Sequence, residues 1–199
     1  MIKKAAFSFL FFTFLILILF QFNCSSDKES KSMTIKEMVA RGKYLVDFGG
    51  CNYCHSPKVF TNLGPVPDNA RLLSGHPANE KIDSLGTIVK NSKWIYSNMS
   101  STAWVGPWGV SFAANLTPDK STGLGNWTEE VFIKTFWSGK QMGIGRNLLP
   151  PMPWQAVGQL KDKDLKSIFA YLKTIPPIKN KVPDPIPPNM IAKMVNMEK

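Results

Sequence analysis

Apolar residues recur at helical spacing directly after Thr34, in a segment that has its own start and stop signals. Thr34 fits a helix N-cap, and Glu37 three positions later completes a capping box. The apolar and small residues that follow recur every three or four positions, at Ile35, Met38, Val39, Gly42 and Leu45 or Val46. The pair Gly49–Gly50 then favours a helix end. The pattern therefore predicts a first helix that begins after Thr34 and ends before Gly49.

A second helix is predicted to start near Thr128, a good N-cap residue, and to end at Gly139. Glu129 and Glu130 occupy its first turn, where the helix dipole favours negative charge. The apolar residues of this segment fall on one side and form its inner face, at Phe132, Ile133 and Phe136.

A third helix is predicted from Asp162 onwards. Its apolar residues give the stripe of an amphipathic helix, at Leu165, Ile168, Phe169, Leu172 and Ile175. Pro176 and Pro177 follow the stripe, and proline cannot continue a helix. We therefore expect this helix to end just before the two prolines.

Turn signals dominate the stretch from Val59 to Gly125, which contains GPVPDN, SGHPAN, VGPWG and LTPDKSTGLG. We expect loops and short helices there, with room for a hairpin. Tryptophans spread through this stretch are expected to cover something large and flat. Residues 181–199 are rich in proline and are predicted to form a tail that wraps along the surface.

The first 23 residues have the pattern of an export signal. Two lysines precede an uncharged apolar run at 5–22, and Cys24 follows it. The segment resembles a bacterial lipoprotein signal, in which such a cysteine becomes the lipid-modified first residue of the mature chain. An uncleaved anchor helix is the alternative, because 18 apolar residues can just span a bilayer. We predict a signal at 1–23, a tether at 24–33, lipid on Cys24, and an extracytoplasmic, periplasmic-side protein anchored to a membrane.

Size and charge limit the classes of protein that fit. The chain has 199 residues, and the about 175 that remain after the signal suffice for one domain with a core. The formal net charge is +10, which becomes +8 without Lys3 and Lys4. An exported chain does not meet nucleic acid, so we expect its basic surface to meet acidic proteins or anionic lipid.

Residues 51–55 read CNYCH and carry the candidate chemistry. Cysteines three positions apart place two thiols on one side of a helical turn, and His55 adds an imidazole directly after them. A c-type haem needs this arrangement, because two thiols bond to the vinyl groups of the porphyrin while the histidine binds the iron. The motif therefore predicts one covalently attached haem c, held by Cys51 and Cys54, with His55 as an iron ligand.

Three other interpretations of the cysteines are open. A thioredoxin-like dithiol belongs to a βαβ setting, and the chain shows no such pattern. A structural zinc site takes four ligands, for which only Cys51, Cys54, His55 and His76 are available. A disulfide would leave His55 without a role, and one close pair is not a disulfide framework.

Iron in an electron-transfer haem usually has a sixth ligand, and Met152 is the leading candidate. It lies in LLPPMPW, where prolines on both sides restrict the backbone and favour an extended conformation. A stiff loop can hold a weak thioether ligand against the iron with little loss of entropy on binding. Met142, between flexible neighbours in KQMGIG, is the runner-up, and His76 in SGHP is a third candidate that reads better as a turn residue.

Three stretches together resemble bacterial c-type cytochrome domains, of the kind repeated in the cytochrome subunits of membrane-bound alcohol and aldehyde dehydrogenases. They are RGKYLVDFGGCNYCHSP, NLTPDKSTGLGNWTEEVFIKTFWSGKQMG and LLPPMPWQAVGQLKDKDLKSIFAYLKTIPP. The resemblance covers about residues 34–180. It assigns Cys51 and Cys54 to thioether bonds, His55 to the proximal position on the iron and Met152 to the distal position.

The resemblance implies an all-α cytochrome c fold, in which the N- and C-terminal helices cross in contact and a long, loop-rich insertion lies between them. Gly42 fits the small residue that lets the two helices approach, and Tyr171 or Phe169 fits the aromatic residue that it meets. The chain departs from those dehydrogenase subunits in one respect, because they carry several haem domains and this chain has a single CxxCH motif.

The predicted function is a membrane-tethered, single-haem carrier that transfers electrons between extracytoplasmic redox proteins and is not itself an enzyme. Its electron donor and acceptor are open, with a dehydrogenase or an oxidase among the candidates. The alternative is a haem enzyme or gas-binding sensor with an open sixth position on the iron, although the low histidine content argues against it. A third interpretation is a haem-free interaction module with a surface built from Trp94, Trp104, Trp108 and Trp127.

Overall fold

The computed structural model of the chain describes residues 32–80, 82 and 93–191. The described residues from Thr34 onwards belong to one compact unit. The predicted signal, Cys24 and most of the tether lie outside the described residues, as does the end of the proline-rich tail. No helix in the described part of the chain is long and apolar enough to cross a bilayer.

The described residues form two helices, then five short strands, then three further helices. In chain order they are α1 (Ile35–Phe48), α2 (Cys51–His55), β1 (Lys58–Thr61), β2 (Gly64–Pro67), β3 (Tyr96–Ser97), β4 (Ala103–Gly106), β5 (Gly109–Phe112), α3 (Glu129–Ser138), α4 (Trp154–Val157) and α5 (Asp162–Leu172). Short 3-10 turns occur at Asn69–Arg71 and Gln141–Gly143. The prediction of an all-α fold is wrong, because the strands form two small antiparallel sheets inside the loop-rich insertion.

The caps predicted for α1 and α3 are present. Thr34 accepts a hydrogen bond from the backbone N–H of Glu37, and the Glu37 carboxylate accepts one from the backbone N–H of Thr34, which completes the capping box. The hydroxyl of Thr128 accepts from a backbone N–H in the first turn of α3. Gly139 ends α3 with a φ of 65°, in the left-handed region that glycine adopts without strain.

Helix α5 begins at Asp162 as predicted but ends at Leu172, earlier than the prolines suggest. After it the chain tightens into turns, with the N–H of Lys173 donating to Phe169 and that of Thr174 to Tyr171. A residue that precedes proline avoids the helical conformation, so the helix stops short of Pro176. Ile175 still packs against the core, although it lies outside the helix.

Helices α1 and α5 pack closely along their length. A Cβ atom on Gly42 would lie 1.8 Å from the carbonyl oxygen of Ser167 and 2.8 Å from the Cβ of Tyr171. Only a glycine therefore lets the backbones of the two helices meet at this point. Arg41 on α1 forms an ion pair with Asp164 on α5 beside that contact.

The main hydrophobic core lies between these two helices, α3 and the loops that follow α2. Its buried members are Val46, Leu73, Leu124, Phe132, Phe169 and Leu172. The rings of Phe132 and Phe169 lie 5.1 Å apart, which joins α3 to α5. Cys51 packs against this core, so the start of α2 is held by the same residues that hold the helices together.

The smaller sheet is the hairpin β1–β2, in which Val59 pairs with Val66 and Phe60 with Pro65. The larger sheet has the strand order β3–β4–β5. Ile186, in the proline-rich tail, extends this second sheet. It exchanges backbone hydrogen bonds of 2.8 and 3.0 Å with Val110 on β5. Ile191 is buried in a second core beside Val110.

Candidate functional site

Helix α2 presents both cysteines of the CxxCH motif on one short element. Gly50 separates it from α1 and has a φ of 64°, in the left-handed region, which interrupts two helices that are almost continuous in sequence. Cys51 and Cys54 are half-buried and both are free thiols. Their spacing along one turn of helix places the two sulfur atoms on the same side.

The surroundings of the thiols do not suit a redox dithiol. Burial raises the pKa of both Cys51 and Cys54 above the ordinary value of a cysteine. Reactive CxxC pairs instead have a lowered pKa on the attacking cysteine, because the thiolate is the nucleophile. The two groups are therefore protonated thiols at neutral pH.

His55, the last residue of α2, is oriented by a hydrogen bond to a distant part of the chain. Its Nδ1–H donates to the carbonyl oxygen of Ala114 over 2.8 Å. Because a carbonyl can only accept, this bond fixes the tautomer and leaves Nε2 as a lone-pair donor. Burial lowers the pKa of His55, so the ring is neutral at pH 7. A neutral imidazole whose other nitrogen is bound to a carbonyl is the usual arrangement of a metal-binding histidine.

Ser56 holds the residues around α2 and was not singled out by sequence reasoning. It is fully buried. Its hydroxyl donates to the side chain of Asn52 and accepts from the backbone N–H of Leu73, each over 2.8 Å. The N–H of Gly75 also donates to the carbonyl of His55 over 2.7 Å. The loop at 73–75 is thereby fixed against the C-terminal end of α2.

Lys58 closes the end of α2. Its ammonium group donates to the carbonyl oxygens of Tyr53 over 2.7 Å and of Ser56 over 2.6 Å. The last carbonyls of a helix lack partners within the helix and carry partial negative charge, which a lysine satisfies. Nothing in the sequence distinguishes this lysine from the many others, so its role could not be predicted.

The loop that carries Met152 is attached to the same stretch of chain that orients His55. The hydroxyl of Ser111 donates to the carbonyl of Pro150 over 2.6 Å. Ser111 lies three positions before Ala114, and three residues of extended chain span at most about 10 Å. Residues 111–114 therefore contact both the His55 ring and the loop that carries the half-buried Met152, which brings the two candidate iron ligands to one region of the fold.

Met142 and His76, the two other candidates for the sixth ligand, have different surroundings. Met142 lies on an exposed turn and has a φ of 53°, an unfavourable conformation for a residue with a side chain. His76 is buried against the ring of Phe112, and its Nδ1 forms a hydrogen bond with the Thr102 hydroxyl over 2.9 Å. Its Nε2 is buried and has no hydrogen-bond partner.

Neither a zinc site nor a tryptophan surface fits the described residues. Among them, no three side chains of the types His, Cys, Asp and Glu converge as a metal ion would need. Trp94 is exposed, whereas Trp104 and Trp108 are half-buried. The indole of Trp104 donates to the carbonyl of Ser101 just before β4, and that of Trp108 to the hydroxyl of Ser111 on β5. Trp127 packs against the main core. The four tryptophans thus serve different parts of the fold.

The donor set of α2 fits a covalently attached haem. Two free thiols on one side of a helical turn supply the thioether positions, and the neutral Nε2 of the adjacent histidine supplies an iron ligand. The apolar contacts of Cys51 provide the dry surroundings that such a group requires. The assignments of Cys51, Cys54, His55 and Met152 stay predictions that agree with this geometry.

No family model matches the chain. It is similar to the fructose dehydrogenase cytochrome subunit of Gluconobacter japonicus, with 41% identity over 34% of this chain and 14% of that protein. It is also similar to the gluconate 2-dehydrogenase cytochrome c subunit of Pantoea cypripedii, with 29% identity over 67% of this chain and 22% of that protein.

A third relative is the cytochrome c subunit of alcohol dehydrogenase (quinone) from Gluconobacter oxydans, with 33% identity over 39% of this chain and 17% of that protein. The chain thus spans less than a quarter of the length of each of these three relatives. The predicted similarity to cytochrome subunits of dehydrogenases is confirmed.

Proposed function

We propose that the chain is a c-type cytochrome that carries single electrons between redox proteins outside the cytoplasm, tethered to a membrane near its N-terminus. Cys51 and Cys54 hold one haem through thioether bonds, and His55 and Met152 bind its iron from opposite sides. The observation that carries the proposal is the pair of free thiols on α2 followed by a histidine whose Nδ1 is already bound to Ala114.

The bound haem would supply an iron that cycles between two oxidation states. The residues of this chain orient the iron ligands and exclude water. The bond from His55 to Ala114 fixes the ring and makes Nε2 a better donor. The apolar packing around Cys51 excludes water from the attachment side. A thioether from Met152 favours the reduced iron, in comparison with a second histidine.

The relatives support a carrier rather than a catalyst. They are named as cytochrome subunits of fructose, gluconate and alcohol dehydrogenases, so we propose that a dehydrogenase or an oxidase is a redox partner of this chain. One CxxCH motif supports a single haem. The apolar N-terminal run supports the membrane tether, with lipid on Cys24 and the rest of the chain on the periplasmic side.

Two measurements on the exported protein test the carrier function. A haem stain on a denaturing gel should remain with the chain, since thioether bonds survive denaturation, whereas haem lost from the band would contradict covalent attachment. Carbon monoxide should bind the native reduced protein slowly, because Met152 occupies the sixth position. Rapid binding would favour the alternative, a haem enzyme or gas sensor with an open iron.

A further inference from the structure

The loop that carries Met152 has few backbone donors with which to attach itself to the rest of the fold. Three of the four residues at 150–153 are prolines, which have no N–H group. The N–H of Met152 donates to the carbonyl of Leu149 over 3.3 Å, and the N–H of Trp154 donates to Met152 over 2.9 Å. Both bonds stay within the loop. The position of Met152 therefore depends on donors from elsewhere in the chain.

Ser111 is the distant residue that donates to this loop in the described part of the chain. It lies on β5 and is buried. Its hydroxyl donates to the carbonyl oxygen of Pro150, two positions before Met152, over 2.6 Å. Because a carbonyl can only accept, the hydrogen of the Ser111 hydroxyl is used in this bond. The hydroxyl oxygen can still accept a second bond from another group.

Trp108 provides that second bond and fixes the direction of the first. Its indole N–H donates to the hydroxyl oxygen of Ser111 over 3.2 Å. An indole can only donate, so Ser111 accepts from Trp108 and donates to Pro150. The three groups form a chain of two hydrogen bonds, which we call the Trp108–Ser111–Pro150 relay. It connects the second sheet to the loop of the proposed sixth ligand.

Two glycines at the turn between β4 and β5 hold the base of this relay. A Cβ atom on Gly106 would lie 2.5 Å from the ring of Trp108, so the indole packs directly on the glycine. Gly109 has a φ of 99°, and a Cβ atom there would lie 2.0 Å from the carbonyl oxygen of Ile186. The tail can thus pair with β5 on the side away from β4. Ser111 therefore projects from a strand with partners on both edges, which places a side chain more precisely than a loop does.

We propose that Ser111, oriented by Trp108, is a positioning residue for the sixth ligand of the iron. The inference rests on the proposed function, in which Met152 binds the iron. Prolines restrict the backbone on both sides of Met152, so Pro150 moves with it when the thioether leaves the iron. The bond from Ser111 then breaks as well. The relay thereby sets how easily another ligand displaces Met152.

The relay also assigns a role to the second sheet and to the tail. The main core packs against Cys51 and so holds the start of α2, which carries the cysteines and the histidine. The second sheet, extended by Ile186, holds the loop of Met152 instead. The two sides of the proposed iron site are therefore attached to different parts of the fold.

Imidazole binding to the oxidised, haem-loaded, full-length protein tests the proposal, because imidazole has to displace the thioether. Absorption spectra during a titration give the dissociation constant. Ser111→Ala removes the donor to Pro150, whereas Ser111→Thr keeps a hydroxyl and suits a strand. Trp108→Phe removes the indole N–H but keeps a ring, and provides the test if Ser111→Ala does not fold. The matched control is Trp104→Phe, since Trp104 is also half-buried but donates to Ser101.

We expect Ser111→Ala to bind imidazole about fivefold more tightly than the wild type, which is the effect of losing one hydrogen bond. Trp108→Phe should bind it about twofold more tightly, because the Ser111 hydroxyl loses its orientation but not its bond. Ser111→Thr and Trp104→Phe should stay close to the wild type. Deuterium uptake at residues 148–154 should rise in Ser111→Ala and not in Trp104→Phe. In a Met152→Ala background, Ser111→Ala should have no further effect on imidazole affinity.

Three results would overturn the proposal, and they separate it from the proposed function. If Met152→Ala tightens imidazole binding but neither Ser111→Ala nor Trp108→Phe does, the relay has no positioning role and the ligand assignment stands. If Ser111→Ala tightens binding equally in the Met152→Ala background, its effect does not pass through the methionine. If Met152→Ala leaves the affinity unchanged, the assignment of the sixth ligand is wrong and the positioning role fails with it.

Discussion

The Nδ1 atom of His55 lies 2.8 Å from the carbonyl oxygen of Ala114, although 59 positions separate the two residues in the chain. This bond leaves Nε2 as the free donor of the ring. It also places His55 next to the stretch at 111–114 that holds the Met152 loop through Ser111 and Pro150. The proposed coordination of the iron depends on this stretch.

Replacing Met152 with alanine should open the sixth position of the iron. We expect carbon monoxide to bind the reduced variant at least tenfold faster than the wild type, because no thioether has to be displaced. The absorption band of a sulfur bond to ferric iron should also disappear. Met142→Ala is the matched control and should change neither property. A variant spectrum identical to that of the wild type would rule out Met152 as the ligand.

Ser56→Ala should destabilise the loop against α2. The change leaves the buried backbone N–H of Leu73 without its acceptor, and an unsatisfied buried donor costs about 1–3 kcal/mol. Urea unfolding should show a loss of this size. Thr61→Ala removes a hydroxyl from the exposed hairpin turn and serves as the control, with a smaller expected loss. Equal effects of the two substitutions would contradict a special role for Ser56.

Gly42→Ala should separate α1 from α5. Its added methyl group would lie 1.8 Å from the carbonyl oxygen of Ser167, so the helices must move apart. Overpacking of this kind costs about 1–3 kcal/mol and more where the clash is with backbone. Lys36→Ala on the exposed side of α1 is the control, and its free energy of unfolding should stay close to that of the wild type. A stable Gly42→Ala protein would show that the helices are less tightly packed than described.

Acid should weaken the loop built on Asp119. Hydrogen bonds from the hydroxyls and backbone of Thr122 and Ser121 lower the pKa of Asp119 to about 2. A carboxyl whose pKa is lowered by folding stabilises the folded state above its unfolded pKa, and this contribution is lost as the pH falls through the folded value. The stability difference between wild type and Asp119→Asn should therefore shrink between pH 4 and about pH 2. Urea unfolding of both proteins across this pH range measures the difference, and a difference that does not change with pH would contradict the role of Asp119.

The helices were predictable from the sequence because local signals determine them. Thr34 with Glu37, and Thr128 before two glutamates, are caps that act within one turn. The end of α5 was placed too late, since the apolar stripe continues to Ile175 beyond the helix. Apolar periodicity shows which residues face the core but not whether they are helical. Ile175 faces the core from the turn after α5.

The two hairpins β1–β2 and β4–β5 lie in the stretch where the turn signals left room for a hairpin, because each joins neighbouring segments of the chain. The extension of the second sheet could not be predicted, because strand β5 pairs with Ile186 in the proline-rich tail and no local pattern around Val110 indicates that partner. The residues that hold His55 and α2 in place could not be predicted either. Ala114 acts through its backbone carbonyl and Lys58 through one of many similar side chains. The sequence favoured a turn position for His76, whereas its ring packs against the ring of Phe112.

Every assignment at the site depends on covalent attachment of one haem to α2, which mass spectrometry of the mature, exported chain can detect. We expect a mass that exceeds that of the polypeptide and its lipid by one haem and that persists after denaturation. The double variant Cys51→Ala, Cys54→Ala should lack this added mass. A wild-type chain that is folded and exported without the mass of a haem would contradict the assignment of both cysteines.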